Sequence, residues 1–192
     1  KYTLTDLLKQ NPEYAVGMVA YAGSAHTISP ISDDNNTLLG LLPSLSPVVM
    51  PKFGSKPLLA FSKADELLKG AHVTHGHIIW ITDDVETHEL DQIESWMESH
   101  PYSLSLLTVG TEKGGVVQIP EYGLLKDDKG NLILPKVPLQ RFAQLNDDID
   151  MKWQHLQVGV DNTLELLPAK MSSEENSTKQ LKTDVNHPLD IG

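Results

Sequence analysis

Two adjacent aspartates, Asp83 and Asp84, directly follow an apolar segment with the composition of a buried strand. A hydroxyl from the loop at Ser55, placed beside the carboxylate of Asp83, would suit a hard cation such as Mg²⁺, which takes few protein oxygens and keeps several waters. Two groups alone do not make a metal site. Capping of the helix predicted to begin near Thr87 is the favoured alternative for Asp83, because Asp is among the preferred N-cap residues.

The other polar clusters carry weaker signals. Three histidines lie close together in the sequence: His72, His75 and His77. Without Cys or a downstream His pair their spacing matches no zinc pattern, so solvated loop histidines are favoured. Ser24 and His26 could pair as nucleophile and base, yet the Gly-x-Ser-x-Gly elbow is absent. The glycine-rich segment 110–115 lacks the Gly-Lys-Ser/Thr ending of a phosphate-binding loop.

The length, net charge and cysteine content of the chain exclude several classes of function. The chain has 192 residues, 15 basic against 26 acidic side chains for a net charge of −11, and no cysteine. The length predicts one domain with a tail. The acidic balance argues against binding of nucleic-acid phosphates or anionic lipid. The lack of cysteine excludes disulfides, a thiolate nucleophile and Cys-ligated metals.

Three nearly continuous apolar segments, 15–22, 77–82 and 104–109, predict strands covered on both faces, which is typical of parallel sheets. Helical patterns after Pro57 and over 87–99 separate them, and a capped helix is predicted over 37–45. The resulting β-α-β-α-β order predicts an α/β fold with a doubly wound, mostly parallel sheet. In such sheets ligands bind at the carboxyl ends of the strands, where Ser55 and Asp83 would lie.

After Gly110 the long apolar runs give way to short apolar segments around a turn. Short apolar segments flank the turn 127–130, which predicts a β-hairpin inserted at the sheet edge. A short helix over 139–145, a last strand over 153–158 and a capped helix over 161–167 follow. A short strand over 27–30, closed by Pro30, is predicted near the amino terminus. The polar residues 169–192 are predicted to form a linker.

Four segments in order resemble a von Willebrand factor type A domain: 16–34, 49–55, 78–83 and 106–112. The segment 123–136 resembles the hairpin of the bacterial membrane-anchored branch associated with aerotolerance (Bat-type) operons, which is often fused to tetratricopeptide repeats. The resemblance covers residues 1–168. It implies a Rossmann-like sheet with a metal-ion-dependent adhesion site, where Asp-x-Ser-x-Ser, a Thr and the Asp of Thr-Asp-Gly bind Mg²⁺ and a partner's carboxylate completes the shell.

By position, Asp83 matches the last aspartate of that site and Ser55 the threonine, while Asp84 replaces the usual glycine. The Asp-x-Ser-x-Ser element and the first strand are missing, so the resemblance implies an N-terminally truncated domain. Ser55 and Asp83 are therefore the candidate metal ligands of a degenerate site, in which we expect weak Mg²⁺ binding or none.

Loss of a central strand would leave unpaired edges on 16–21 and 77–82, which invites strand exchange between copies of the chain. The segment 185–192 resembles the residues that precede a transmembrane helix in this branch. The resemblance thus implies a parent protein in the bacterial inner membrane, with residues 1–168 in the periplasm and residues 169–192 as the linker toward a span.

The leading hypothesis is a non-enzymatic protein–protein interaction module whose partner is another protein and not nucleic acid. The alternative is a Mg²⁺-dependent hydrolase or phosphotransfer enzyme on a flavodoxin-like sheet, with Asp83 and Asp84 as metal ligands or nucleophile. That chemistry needs a third carboxylate and a Lys or Thr at neighbouring strand ends. The strand ends offer Ser24, His26 and Thr111 instead, which favours the interaction module.

Overall fold

The structure is a computed structural model that describes residues 1–46, 50–52, 54–116, 118–119, 123–124, 126–127, 130–157 and 166–167. The elements in chain order are α1 (Tyr2–Gln10), β1 (Val16–Tyr21), β2 (Ala25–Ser32), α2 (Asn35–Leu41), a 3₁₀ turn (Leu42–Ser44), α3 (Pro57–Gly70), β3 (His77–Thr82), α4 (Thr87–Glu98), β4 (Ser103–Thr108), β5 (Gln118–Ile119), β6 (Gly123–Leu124), α5 (Leu139–Asp148) and β7 (Lys152–His155). None of the helices in these ranges is long and apolar enough to cross a bilayer.

A parallel sheet of three strands, in the order β3-β4-β7, forms the centre of the α/β fold. His77 lies opposite Ser103 and Thr82 opposite Thr108, so β3 and β4 are in register along their whole length. The central strand β4 is paired on both sides and is buried from Leu104 onward. The sequence prediction of an α/β fold with parallel strands is confirmed here.

The first apolar strand departs from the prediction. We expected residues 15–22 to form an interior parallel strand, but β1 pairs antiparallel with β2, and in the described residues it has no parallel neighbour. Every residue of β1 is only half-buried. The expectation was wrong because an apolar composition predicts that a strand can be covered, while it says nothing about which neighbour pairs with it.

The elements next to β1 also differ from their predicted bounds. Pro30 does not close β2, which runs on to Ser32; a proline is tolerated in a strand that has a free edge. The helix predicted over 37–45 is instead α2 followed by a 3₁₀ turn that contains Pro43. Asp34 caps α2, because its side chain accepts a hydrogen bond from the backbone N–H of Thr37 at 3.2 Å.

The main core lies where α3, α4 and α5 meet the parallel sheet. Trp80 of β3 packs edge-on against Phe61 of α3 at a ring-centroid distance of 5.5 Å, and against Phe142 of α5 at 6.2 Å. Val85, Ile93 and further buried residues of α4, β4 and α5 complete this cluster. A second cluster joins α1, α2 and the 3₁₀ turn to β1 through Leu8, Leu38 and Leu42.

The predicted hairpin turn is confirmed. Lys126 and Leu132 form an antiparallel bridge, and Gly130 has a φ of +83°, which glycine adopts without strain. The prediction placed this hairpin as an insertion at the sheet edge; in the described residues β5 and β6 pair only with each other and form a separate two-stranded sheet. The last strand ends at His155 rather than at 158. The predicted helix over 161–167 and the linker lie outside the described residues, except for 166–167, which form a turn.

Candidate functional site

The carboxyl ends of β1 and β3 lie at the same end of the molecule. The hydroxyl of Tyr21, the last residue of β1, donates to Oγ1 of Thr82, the last residue of β3, at 3.0 Å. The backbone N–H of Gly23 donates to the carbonyl of Lys52 at 3.0 Å. A Cβ on Gly54 would lie 3.4 Å from the Cα of Gly23, so these two loops touch. We call this end of the molecule the carboxyl edge.

A chain of hydrogen bonds connects the two strand ends with the loop after β3. Trp80 Nε1 donates to the hydroxyl of Tyr21 at 2.7 Å, Tyr21 donates to Thr82, and Thr82 Oγ1 donates to the carbonyl of Asp84 at 2.8 Å. Burial raises the pKa of Tyr21 above its ordinary value, so its hydroxyl stays protonated and able to donate. The chain therefore fixes the backbone at Asp84 relative to the core.

Asp83 is exposed, and its side chain makes no hydrogen bond or ion pair with any described residue. The sequence favoured helix capping as the alternative role of Asp83, but Asp83 does not cap α4. Glu86 is the N-cap residue, in a capping box with Glu89: each side chain accepts from the backbone N–H of the other residue. The expectation failed because the helix begins one turn after the aspartates, where Glu86 and Glu89 have the spacing of a capping box. Asp83 thus remains open to an external group.

Asp84 is held by its own neighbours. Its Oδ1 accepts from the backbone N–H of Val85 at 2.8 Å and lies 3.4 Å from Nη1 of Arg141, which also donates to the carbonyl of Val85 at 2.7 Å. Arg141 attaches the start of α5 to the loop after β3. Sequence reasoning missed this residue, although it is the single arginine of the chain; one terminal nitrogen, Nη1, makes both contacts.

Ser55 is half-buried and is followed by a lysine that approaches α4. Lys56 Nζ lies 3.9 Å from Oε1 of Glu89, whose side chain is 3% exposed. A positive charge therefore stands beside Ser55, between the loop before α3 and the first turn of α4. The sequence spacing gave no signal for this pair, because 33 positions separate the two residues.

The residues of the carboxyl edge do not fit a Mg²⁺ ion. Ser55 and Asp83 reach the same end of the molecule, but within the described ranges no group of three or more His, Cys, Asp or Glu side chains could hold a metal. Lys56, next to Ser55, adds a competing cation. With Asp84 held by Val85 and Arg141, one hydroxyl and one carboxylate remain, which is too few to hold Mg²⁺ without phosphates from a ligand.

The histidines have local roles. Ser24 Oγ and His26 Nε2 are 2.9 Å apart on the surface, but no carboxylate bond to His26 is found in the described residues, so the nucleophile–base pair that the sequence disfavoured has no third member here. His72 and His75 are exposed. His77 is not a solvated loop histidine, because it is the first residue of β3 and is half-buried.

His77 marks the opposite end of the sheet, which we call the amino edge. Its Nδ1 lies 2.7 Å from Ser103 Oγ and its Nε2 lies 2.7 Å from the carbonyl of Leu166. Burial lowers the pKa of His77, so the ring is neutral and donates through Nε2. Lys152 Nζ donates to the carbonyl of Leu167 at 2.6 Å. Two side chains at the starts of β3 and β7 thus hold the Leu166–Leu167 segment at the amino edge.

Comparison with known proteins identifies two solved structures of the same fold. One is the conserved hypothetical protein BatB from Bacteroides thetaiotaomicron, with a TM-score of 0.71 and 23% identity over 93% of this chain and 85% of that one. The other is an aerotolerance-related membrane protein from Bacteroides fragilis, with a TM-score of 0.71 and 22% identity over 93% of this chain and 84% of that one. No protein-family profile matches the sequence, and no curated protein matches it significantly. At these identities the likeness establishes the fold.

Proposed function

We propose that residues 1–168 form a von Willebrand A-like domain of a Bat-type protein and act as a protein–protein interaction module of a membrane-anchored bacterial protein. The fold shared with BatB and with a protein described as a membrane protein supports the family and the membrane association. The positions of Ser55 and Asp83 at one edge of the molecule support the location of the degenerate adhesion site.

The observation that carries this function is that the carboxylate of Asp83 is free of partners in the described residues, whereas that of Asp84 is not. Asp83 offers an exposed carboxylate with no partner in the described residues, directly after a rigid strand. Asp84 is hydrogen-bonded to Val85 and faces Arg141. The alternative hydrolase or phosphotransfer enzyme would use both carboxylates, as metal ligands or nucleophile, and Oδ1 of Asp84 is already engaged, whereas a binding site needs only one carboxylate that a partner can contact.

Two measurements separate these functions. For the interaction module we expect no hydrolysis of p-nitrophenyl phosphate in the presence of Mg²⁺. Hydrolysis that is lost in Asp83→Ala but retained in the control variant Glu112→Ala would establish an enzyme instead. We also expect isothermal titration calorimetry to detect no Mg²⁺ binding tighter than about 1 mM. Micromolar binding that depends on Asp83 would show that the site is intact rather than degenerate.

We further propose that an additional strand lies between β1 and β3 in the complete domain. Both strands are almost entirely apolar, yet each is paired on one side only in the described residues, and both are less buried than β4. Side chains, not backbone groups, bridge the two strands at Tyr21 and Thr82. A preceding segment of the parent protein, or a second copy of the chain by strand exchange, would supply the missing hydrogen-bond partners.

Light scattering distinguishes the two sources. The 192-residue chain is expected to form dimers or larger species at high concentration. The same chain extended by the preceding residues of its parent gene is expected to be monomeric. A monomer in both cases, with backbone amides of 16–21 and 77–82 exchanging rapidly with solvent, would contradict strand addition.

The proposed location is periplasmic, with residues 169–192 linking the domain to a span in the inner membrane. Fusion of alkaline phosphatase after residue 168 of the parent protein tests it, because the enzyme is active only where its disulfides form. Activity is expected, and an inactive fusion of normal abundance would place the domain in the cytoplasm.

A further inference from the structure

Glu89 is a buried acidic residue at the carboxyl edge. It lies in the first turn of α4, and its side chain is 3% exposed. Its Oε2 accepts from the backbone N–H of Glu86 at 3.3 Å, whereas Oε1 has no donor within hydrogen-bonding distance among the described residues. A buried carboxylate is costly unless hydrogen bonds or a nearby cation compensate its charge. Glu89 therefore needs a positive charge close to Oε1.

Lys56 supplies that charge. Its Nζ lies 3.9 Å from Oε1 of Glu89, and this is the one ion pair of Glu89 within the described ranges. Arg141, a second cation of this edge, faces Asp84 instead. A separation of 3.9 Å is too long for a direct hydrogen bond. Lys56 thus compensates the carboxylate through its charge, and no hydrogen bond fixes the pair.

The start of α3 holds Lys56 in this position. Lys56 is the N-cap residue of α3, and Pro57, with its restricted φ, is the first residue of the helix. The backbone N–H of Leu59 donates to the carbonyl of Lys56 at 3.2 Å. The preceding residue is the half-buried candidate ligand Ser55. The helix start therefore places a cation directly beside a residue that was predicted to bind one.

A second carboxylate belongs to the same neighbourhood. Burial is the main cause that raises the pKa of the Tyr21 hydroxyl, and the negative charges of Asp83 and Glu89 raise it further. Both carboxylates are therefore close enough to act on the hydroxyl at the end of β1. Asp83 has no cationic partner among the described residues, so the two carboxylates carry more negative charge than Lys56 offsets.

We infer that the ammonium of Lys56 is the resident cation of the carboxyl edge and takes the place of a divalent metal ion at the degenerate adhesion site. This inference rests on the proposed function and specifies how its site works without metal. The oxygens of Asp83, Glu89 and Ser55 are of the type that Mg²⁺ prefers, but a positive charge already lies beside them and would repel a second one. A partner at this edge is then contacted without any divalent ion.

An ordinary surface ion pair is the alternative role for these two residues. Such a pair contributes little to stability, because water solvates each partner well when the other is removed. The 51% exposure of Lys56 agrees with that role, but the 3% exposure of Glu89 does not, since loss of the lysine would leave a buried carboxylate uncompensated. The two roles differ in one measurable respect: a divalent ion can substitute only for a resident cation.

Thermal melts of the full chain with and without MgCl₂, at an ionic strength matched with NaCl, test this difference. Lys56→Met should lower the melting temperature by about 3 °C or more, and about 10 mM Mg²⁺ should restore about 3 °C, as expected for a dissociation constant of about 1 mM. The wild-type chain should not respond to Mg²⁺. Lys56→Arg keeps the charge and should behave like the wild type.

Two further variants serve as controls. Lys52→Met removes an exposed lysine of the same edge that forms no ion pair with a described residue, and it should change neither the melting temperature nor the response to Mg²⁺. Glu89→Gln removes the charge but retains the capping box, because glutamine serves at the same position. In Lys56→Met/Glu89→Gln, both the loss caused by Lys56→Met and its recovery with Mg²⁺ should disappear.

Equal melting temperatures for Lys56→Met and Lys52→Met would overturn the inference, and so would a loss that Mg²⁺ does not restore. Micromolar Mg²⁺ binding by the wild-type chain would also refute it, because Lys56 would then not exclude the metal. Folding of Lys56→Met only in the presence of Mg²⁺ would support the resident cation, and no folding in either condition would contradict it. Phosphoester hydrolysis lost in Asp83→Ala would overturn the proposed function, whereas missing recovery with Mg²⁺ overturns the resident cation alone.

Discussion

Removal of one hydroxyl group, in Tyr21→Phe, should break the hydrogen-bond chain that joins β1 to β3. The indole N–H of Trp80, a residue that is 4% exposed, would lose its acceptor, while Thr82 would keep the carbonyl of Asp84. Leaving a buried donor without a partner costs about 1–3 kcal/mol. Because phenylalanine preserves the ring and its packing, we expect the free energy of unfolding to fall by about that amount.

Urea denaturation followed by tryptophan fluorescence measures this change. For a domain of this size about 1 kcal/mol corresponds to about 2–4 °C in melting temperature, so a thermal melt gives an independent value. Tyr2→Phe is the matched control, because Tyr2 is 88% exposed and its hydroxyl can bond to water. A loss below about 0.5 kcal/mol for Tyr21→Phe, or an equal loss for Tyr2→Phe, would refute the argument that the hydroxyl satisfies a buried donor. Trp80→Phe combined with Tyr21→Phe should then be less than additive.

Two further perturbations test other parts of the structure. Gly110 has a φ of +122°, and a Cβ there would lie 2.6 Å from Cγ2 of Val137, so Gly110→Ala should destabilise the domain by about 1–3 kcal/mol. Gly40 lies inside α2, where a Cβ would meet open space, so Gly40→Ala should stabilise the helix by up to about 1 kcal/mol. If urea denaturation gave the same change in unfolding free energy for Gly40→Ala and Gly110→Ala, the strain argued for Gly110 would be contradicted. Burial lowers the pKa of His77 in the folded state, so the unfolded chain takes up a proton first and stability should decline as the pH falls below the ordinary value of 6.5. His77→Gln should reduce the stability difference between about pH 7.5 and about pH 5.5, and an unchanged difference would exclude His77 as its source.

The segment from α3 to β4 could be predicted from the sequence because its signals were local and consistent. Pro57 begins α3 at a position where its missing N–H is tolerated. The apolar runs of β3 and β4 are separated by a helix of regular period, and the start of α3 and the bounds of β3, α4 and β4 lie within a residue or two of those expected. Each of these features depends on a continuous apolar run, on a helical period or on a residue type at the start of an element, and all of these can be recognised within a short stretch of sequence.

The pairing of β1 could not be predicted in the same way. Its composition resembles that of β3, yet its partner is β2, because strand pairing depends on the chain's topology and on which neighbours are present. The same limit applies to the candidate site. The sequence placed Ser55 and Asp83 at strand or loop ends, and they do reach one edge, but the contacts of Arg141 with Asp84 and of Lys56 with Glu89 join distant positions. No local pattern encodes such pairs.

The separation of the two edges has a mechanical consequence. A partner bound at the carboxyl edge and a tether that continues from the Leu166–Leu167 segment at the amino edge would apply tension along the axes of β3, β4 and β7. The parallel strands β3 and β4 are in register over six residue pairs, so their hydrogen bonds lie across the direction of pull and would bear the load together.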